Sequence, residues 1–117
     1  KYNEYLGVTS PDDKQGVLQD VHWAHGSFGY FPTYSLGSFY AAQYYNQARH
    51  DIAGLETQLA QGDYDPLLQW LRHNIHQHGR RYRSDELCKN VTGKGLHFSD
   101  FMAYATEKYA HIYELSS

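Results

Sequence analysis

An all-α fold is expected for this chain of 117 residues. Apolar side chains recur three and four positions apart in several separate stretches, the spacing of one helix face. Those stretches open on acidic residues, serine or proline and close on glycine, as helix ends do. Paired runs of alternating apolar and polar residues, which a strand hairpin would need, are not found. The expectation in detail is an irregular loop over residues 8–31 followed by about five helices. The whole of 1–117 is expected to form a single helical segment.

Tyr2, Tyr5 and Leu6 have helical spacing, and Gly7 stands where a C-cap belongs, so the chain opens on the tail of a helix. "VTSPDDKQG" reads as a loop. From Thr33 the pattern turns helical, with Leu36, Phe39, Tyr40, Gln43, Tyr44 and Gln47 on one face, to about Arg49. The region of Asp51 is expected to cap a second helix, "IAGLETQLAQ", ended by Gly62. The clearest helix is "DPLLQWLRHNIHQHG", with Asp65 as N-cap, Pro66 in the first helical position and Gly79 at the end. Its buried stripe is Leu67, Leu68, Leu71 and Ile75. Ser84 starts a short helix that stops before Gly93, and Ser99 or Asp100 starts the last one. In that last helix Phe101, Met102, Ala105, Tyr109 and Ile112 are expected to face inward.

Composition narrows the function. Hydrophobic residues make up 41%, enough for one modest core, and 12 Tyr against 5 Phe point to a partly wet core or an aromatic-lined cleft. A net charge of −3 gives no electrostatic case for nucleic acid, and Arg80, Arg81 and Arg83 read as a solvated turn. No apolar run approaches a membrane span. The one cysteine, Cys88, rules out an internal disulfide and fits a reducing compartment, so a cytoplasmic location is expected.

Chemistry-bearing side chains crowd into "GVLQDVHWAHGSFGYFPTY", residues 16–34. In an extended stretch, residues two apart face one side, which would point Asp20 and His22 together. A carboxylate beside an imidazole fixes its orientation and favours the charged, donating form. Tyr30 and Tyr34 add hydroxyls able to donate to a developing oxyanion. The alternative is an aromatic turn whose polar groups satisfy one another.

Metal and nucleophile signals are absent. The pairs His22/His25 and His73/His76 are spaced i, i+3, whereas helical zinc sites use His at i, i+4 with a general-base Glu between. No HExxH occurs in the chain. His73, His76 and His78 read as groups that complement the C-terminal end of their helix. Cys88 lies in a helical pattern, and no serine sits in a GxSxG elbow.

"GVLQDVHW", residues 16–23, matches the pattern GxxQDxHW and resembles the signature of the Taq-type metallocarboxypeptidase family. The likeness continues through "GSFGYFPTYSLGSFYAAQ", "LLQWLRHNIHQHGRRY", "TGKGL" and "EKYAHIYEL", essentially the whole chain. The resemblance implies the C-terminal part of a larger all-helical zinc-peptidase fold. The metal-binding N-terminal part, with its HExxH helix and further Glu ligand, is expected to lie upstream and outside this chain.

That family removes amino acids one at a time from peptide C-termini, using a metal-bound water activated by the HExxH Glu. What the resemblance implies for this segment is the wall facing the metal. His22 is expected to donate to the tetrahedral intermediate, with Asp20 holding its ring. Tyr30 is the first choice for a second donor and Tyr34 the reserve, while Gln19 shapes the turn or contacts substrate. The cofactor implied for the full-length enzyme is a divalent metal, zinc or cobalt, with no ligand in this chain. The implied partners are peptide C-termini, the missing N-terminal part of the same enzyme and, since the family tends to dimerise, a second copy. The segment alone is expected to be inactive and to expose a large apolar and aromatic patch. The competing reading is a free-standing, non-catalytic helical interaction domain that forms homo-oligomers. A third has the eight histidines bind metal directly.

Overall fold

The structure is a computed structural model, and it describes residues 1–110 and 112–114. Every regular element among the described residues is helical, in keeping with the expected all-α class. Contacts divide the chain into two compact units, residues 1–34 and 35–117.

The first unit holds helix α1 (Tyr2–Leu6), a 3₁₀ turn (Val17–Gln19) and the short helix α2 (Val21–Ala24). Gly7 does close α1, in the left-handed conformation of a C-cap. The segment read as an irregular loop is therefore interrupted by two short helical turns. At three and four residues, about one turn each, they are too brief for a periodicity to register in sequence.

Helix α3 (Pro32–Asp51) is followed in the second unit by α4 (Leu55–Ala60), α5 (Asp65–Asn74), a 3₁₀ turn (His76–His78), α6 (Ser84–Thr92) and α7 (Phe98–Ala110). Its core is Ala48, Leu55 and Trp70, with Tyr44, Leu67, Leu71 and Ile75 packed around them. Trp70, missing from the expected stripe of α5, is its buried residue, and its indole N–H donates to Asp51 Oδ2 at 2.9 Å. That bond makes burial of a polar-tipped ring favourable.

Four helix ends differ from expectation: α5 stops at Asn74, and Gly79 closes the separate 3₁₀ turn that follows it, while the other three involve Asp51, Asp65 and the start of α7. Asp51 caps nothing: it ends α3, while α4 begins after Gly54. The Asp51 carboxylate is engaged by Trp70, Gln47 and His50 instead. Asp65 is already helical and Tyr64 precedes it, and the backbone N–H of Asp65 donates to the Asp63 side chain at 3.3 Å. The last helix starts at Phe98, which frees Asp100 to accept from Lys94 at 2.9 Å and from Asn46 at 3.2 Å. Burial alone would raise the Asp100 carboxyl, but these bonds outweigh it and hold it below the ordinary aspartate range.

Gln43 organises the turn between α6 and α7. The residue is 1% exposed. Its amide nitrogen donates to Gly95 O at 2.9 Å and Thr92 Oγ1 at 3.0 Å, and its Oε1 accepts from the His97 N–H at 2.9 Å. Phe39 packs at 5.0 Å against both Phe98 and Phe101, which ties α7 to α3. The inward face expected for α7 is only partly buried. Phe101 and Ala105 are half-buried, but Met102, Tyr109 and Ile112 are exposed, and Ile112 lies in a turn beyond the helix. The apolar period there is real, yet among the described residues Met102, Tyr109 and Ile112 stay uncovered. "EKYAHIYEL" reaches His111 and Leu115, which lie outside the described residues.

Arg80, Arg81 and Arg83 occupy an exposed turn, as read from sequence. Cys88 is fully buried, and burial pushes its thiol up, so it offers no thiolate at neutral pH. No helix among the described residues is long and apolar enough to cross a membrane.

Candidate functional site

The site is built within residues 19–34, around one imidazole. Asp20 has extended backbone angles immediately before α2, and its carboxylate accepts the backbone N–H of His22 at 2.8 Å. That is an N-cap, the standard way for an acidic side chain to satisfy the open amides of a first turn. The same oxygen, Oδ1, lies 3.1 Å from His22 Nδ1. Asp20 and His22 do point together, but through a helix cap rather than through strand alternation. The backbone bond from His22 is the chief cause that holds the Asp20 carboxyl below its ordinary value.

The other edge of the ring faces a phenol. His22 Nε2 lies 3.3 Å from the hydroxyl of Tyr34, in the first turn of α3. Tyr30 stacks on the imidazole with centroids 5.8 Å apart and planes inclined by 22°. Phe31 and Tyr34 meet it edge-on at 5.5 and 5.7 Å. Tyr30 and Tyr34 in turn contact each other at 5.6 Å. Three rings thus fix the position of His22, whose side chain keeps only 16% of its exposure. Tyr30 is 49% exposed and the Asp20 side chain 40%, so the cluster opens to solvent rather than closing into a core.

Two glycines make the wrap possible. Gly26 and Gly29 have φ of 82° and 75°, a region side-chain-bearing residues enter at a cost. They turn the chain from α2 back over His22, so that Tyr30 and Tyr34 reach the same ring. His25 is drawn aside, with its Nδ1 2.9 Å from Ser27 Oγ.

Four of the five residues singled out in sequence, Asp20, His22, Tyr30 and Tyr34, therefore gather in one cluster. Gln19 has a different contact: its amide nitrogen donates to the Lys14 carbonyl at 2.6 Å and ties down the preceding loop. Phe31, not anticipated, joins the cluster as an edge against the imidazole. Only its position between Tyr30 and Tyr34 hints at that in sequence.

Among the described residues, no group of three or more His, Cys, Asp or Glu is placed to hold a metal ion. The cluster itself offers one imidazole and one carboxylate, already bonded to each other. Its donor set does not fit a resident metal; what it offers is hydrogen-bonding groups on one imidazole and two phenols.

Comparison with known proteins agrees with the sequence motifs. The family model described as Carboxypeptidase Taq (M32) metallopeptidase matches residues 1–109. Thermostable carboxypeptidase 1 of Thermus thermophilus is 48% identical over 113 residues, covering 97% of this chain and 22% of that protein. Carboxypeptidase 1 of Bacillus subtilis is 42% identical over 115 residues, covering 98% of this chain and 23% of that protein. The crystal structure of the M32 carboxypeptidase from Deinococcus radiodurans superposes with a TM-score of 0.86 at 37% identity, over 97% of this chain and 23% of that one. The chain thus spans less than a quarter of the length of these relatives. It belongs to the Carboxypeptidase Taq (M32) metallopeptidase family and corresponds to a C-terminal segment of such an enzyme.

Proposed function

We propose that this chain supplies the substrate-side wall of a metallocarboxypeptidase that releases amino acids singly from peptide C-termini. The observation that carries the reading is the convergence of Asp20, Tyr30 and Tyr34 on one solvent-reachable imidazole, inside a segment of an M32 protein. As water adds to the scissile carbonyl, its oxygen gains negative charge. His22 donates to that oxygen, and Asp20 holds the ring in place. Tyr30, stacked on the face of the ring, is the second donor, and Tyr34, whose hydroxyl lies against Nε2, supports the other edge of the imidazole. Gln19 shapes the turn that carries Asp20.

The divalent metal, zinc or cobalt, is assigned with its ligands to the rest of the enzyme; among the described residues no group of three or more His, Cys, Asp or Glu is placed to hold one. The same reading makes this chain inactive by itself and gives it the rest of the enzyme as partner, in the cytoplasm and in a homo-oligomer. The exposed aromatic residues of the first unit, Trp23, Phe28 and Phe31 among them, also fit a second reading, a non-catalytic helical domain that self-associates.

The test is turnover of a peptide substrate by the full-length enzyme carrying His22→Ala or Tyr30→Phe. A preorganised oxyanion donor is worth about 3 kcal/mol, so each change is expected to lower kcat by roughly 10²–10³-fold. Near-normal rates in both variants would remove the donor assignment.

A further inference from the structure

We infer that Asp20, His22 and Tyr34 form a directional hydrogen-bond chain that holds the neutral imidazole in its Nδ1–H tautomer, with Tyr34 as the positioning residue on the Nε2 edge. The inference rests on the proposed donor role of His22 only for its functional meaning; its geometry stands apart from it. An ionised carboxylate accepts hydrogen bonds and donates none. Because Asp20 Oδ1 lies 3.1 Å from Nδ1, that nitrogen must carry the ring proton. A neutral imidazole has one N–H, so Nε2 is left with a lone pair. The Tyr34 hydroxyl, 3.3 Å away, is then the donor and Nε2 the acceptor. This is the reverse of an unconstrained histidine, in which the proton prefers Nε2.

The consequence concerns the state of the ring that can serve a substrate. In the neutral ring Nε2 has nothing to donate, and Tyr34 occupies its lone pair. Once the ring is protonated, Nε2–H becomes a donor and the Tyr34 oxygen an acceptor. A substrate oxygen that develops charge can then take the place of Tyr34 at Nε2. The groups facing the ring are Asp20 on one edge, Tyr34 on the other, Tyr30 stacked on its face and His25 at 5.9 Å. Among these, Asp20 is the only carboxylate, and it sets the tautomer; Tyr34 decides whether Nε2 is covered.

The experiment reads nitrogen chemical shifts of His22, by long-range proton–nitrogen correlation, in the full-length polypeptide that carries this segment, at a pH where the ring is neutral. The expected spectrum has a protonated Nδ1 and a bare Nε2. In Tyr34→Phe the proton stays on Nδ1, but the Nε2 resonance moves downfield as its hydrogen bond is lost. Asp20→Ala is expected to return the ring toward the Nε2–H tautomer. A protonated Nε2 in the neutral wild-type ring would overturn the inference, as would an Nε2 shift unchanged by Tyr34→Phe. Tyr34→Phe keeps the aromatic packing, so the outcome does not depend on the Asp20 variant folding. Turnover plays no part in the readout: normal rates in His22→Ala and Tyr30→Phe would sink the donor reading and leave the tautomer standing.

Discussion

Asp20 makes two bonds with a single oxygen, one to a backbone amide and one to an imidazole. The pairing with His22 was legible in sequence, but its cause was not. Alternation along an extended stretch would bring residues two apart together, and so does an N-cap with its second helical residue, and a four-residue helix leaves no periodic trace to tell them apart. The cap has a consequence for pH. The Asp20 carboxyl is held below the ordinary aspartate value of 3.8, chiefly by the His22 backbone bond. A carboxyl lowered by folding contributes stability that is fully present above the unfolded value and is lost as pH falls through the lower, folded one. The contact to His22 is therefore expected to persist unchanged down to about pH 4 and to fail only in stronger acid. Proton and nitrogen shifts of His22 followed against pH check this; loss of the contact already at pH 5 would contradict it. Asp20→Asn should remove the acid limb.

At the scale of the element, α3 is where sequence reading and structure agree best and where one surprise lies. The face from Phe39 to Gln47 was recognisable from its spacing, because twenty residues give the 3.6-residue period time to show. Spacing put Gln43 on that face without saying why an amide belongs there. The reason is the turn after α6: Thr92 and Gly95 of "TGKGL" and the amide of His97 just after it have groups that Gln43 reaches across to satisfy. Asp51 was misread for a related reason. Acid just before an apolar run looks like a cap, and only the long-range approach of the Trp70 indole reveals its use. The cost of removing Gln43 follows. Gln43→Leu conserves bulk but leaves the Gly95 carbonyl and the His97 N–H without their partner. A fully buried unsatisfied group costs about 1–3 kcal/mol, and since Gly95 and His97 are otherwise exposed, a loss of roughly 1–3 kcal/mol is expected for the pair together. Urea denaturation of wild type and variant measures it, and a change below about 0.5 kcal/mol, the usual range for surface substitutions, would show that the turn pairs with water instead.

Across the whole molecule, burial is thin for the length of the chain. Among the described residues only Ala48, Leu55, Trp70 and Cys88 are buried apolar side chains, while Tyr2, Tyr5, Leu18, Trp23, Phe28 and Phe31 are each more than 60% exposed. A self-sufficient domain of this size buries well over half of the surface its unfolded chain exposes. The family's motifs without an HExxH led to the expectation of an exposed apolar and aromatic surface; the structure leaves these rings exposed one by one, and spacing could not foretell which would be bare. The sparse core and the span of less than a quarter of the relatives' length fit one account: these surfaces are made to be covered by the remainder of the enzyme. On that account the 117-residue chain alone is expected to bind a dye that senses apolar surface and to sediment as a mixture of associated species. It is also expected to release no C-terminal amino acid from a peptide in the presence of zinc or cobalt, because donors to a developing oxyanion accelerate nothing without a nucleophile to create it. Mass spectrometry of a peptide incubated with the purified chain, with and without a chelator, decides the matter. Chelator-sensitive trimming from the C-terminus by this chain would mean that its histidines assemble a metal centre of their own and that the division of labour proposed for the two parts of the enzyme is wrong.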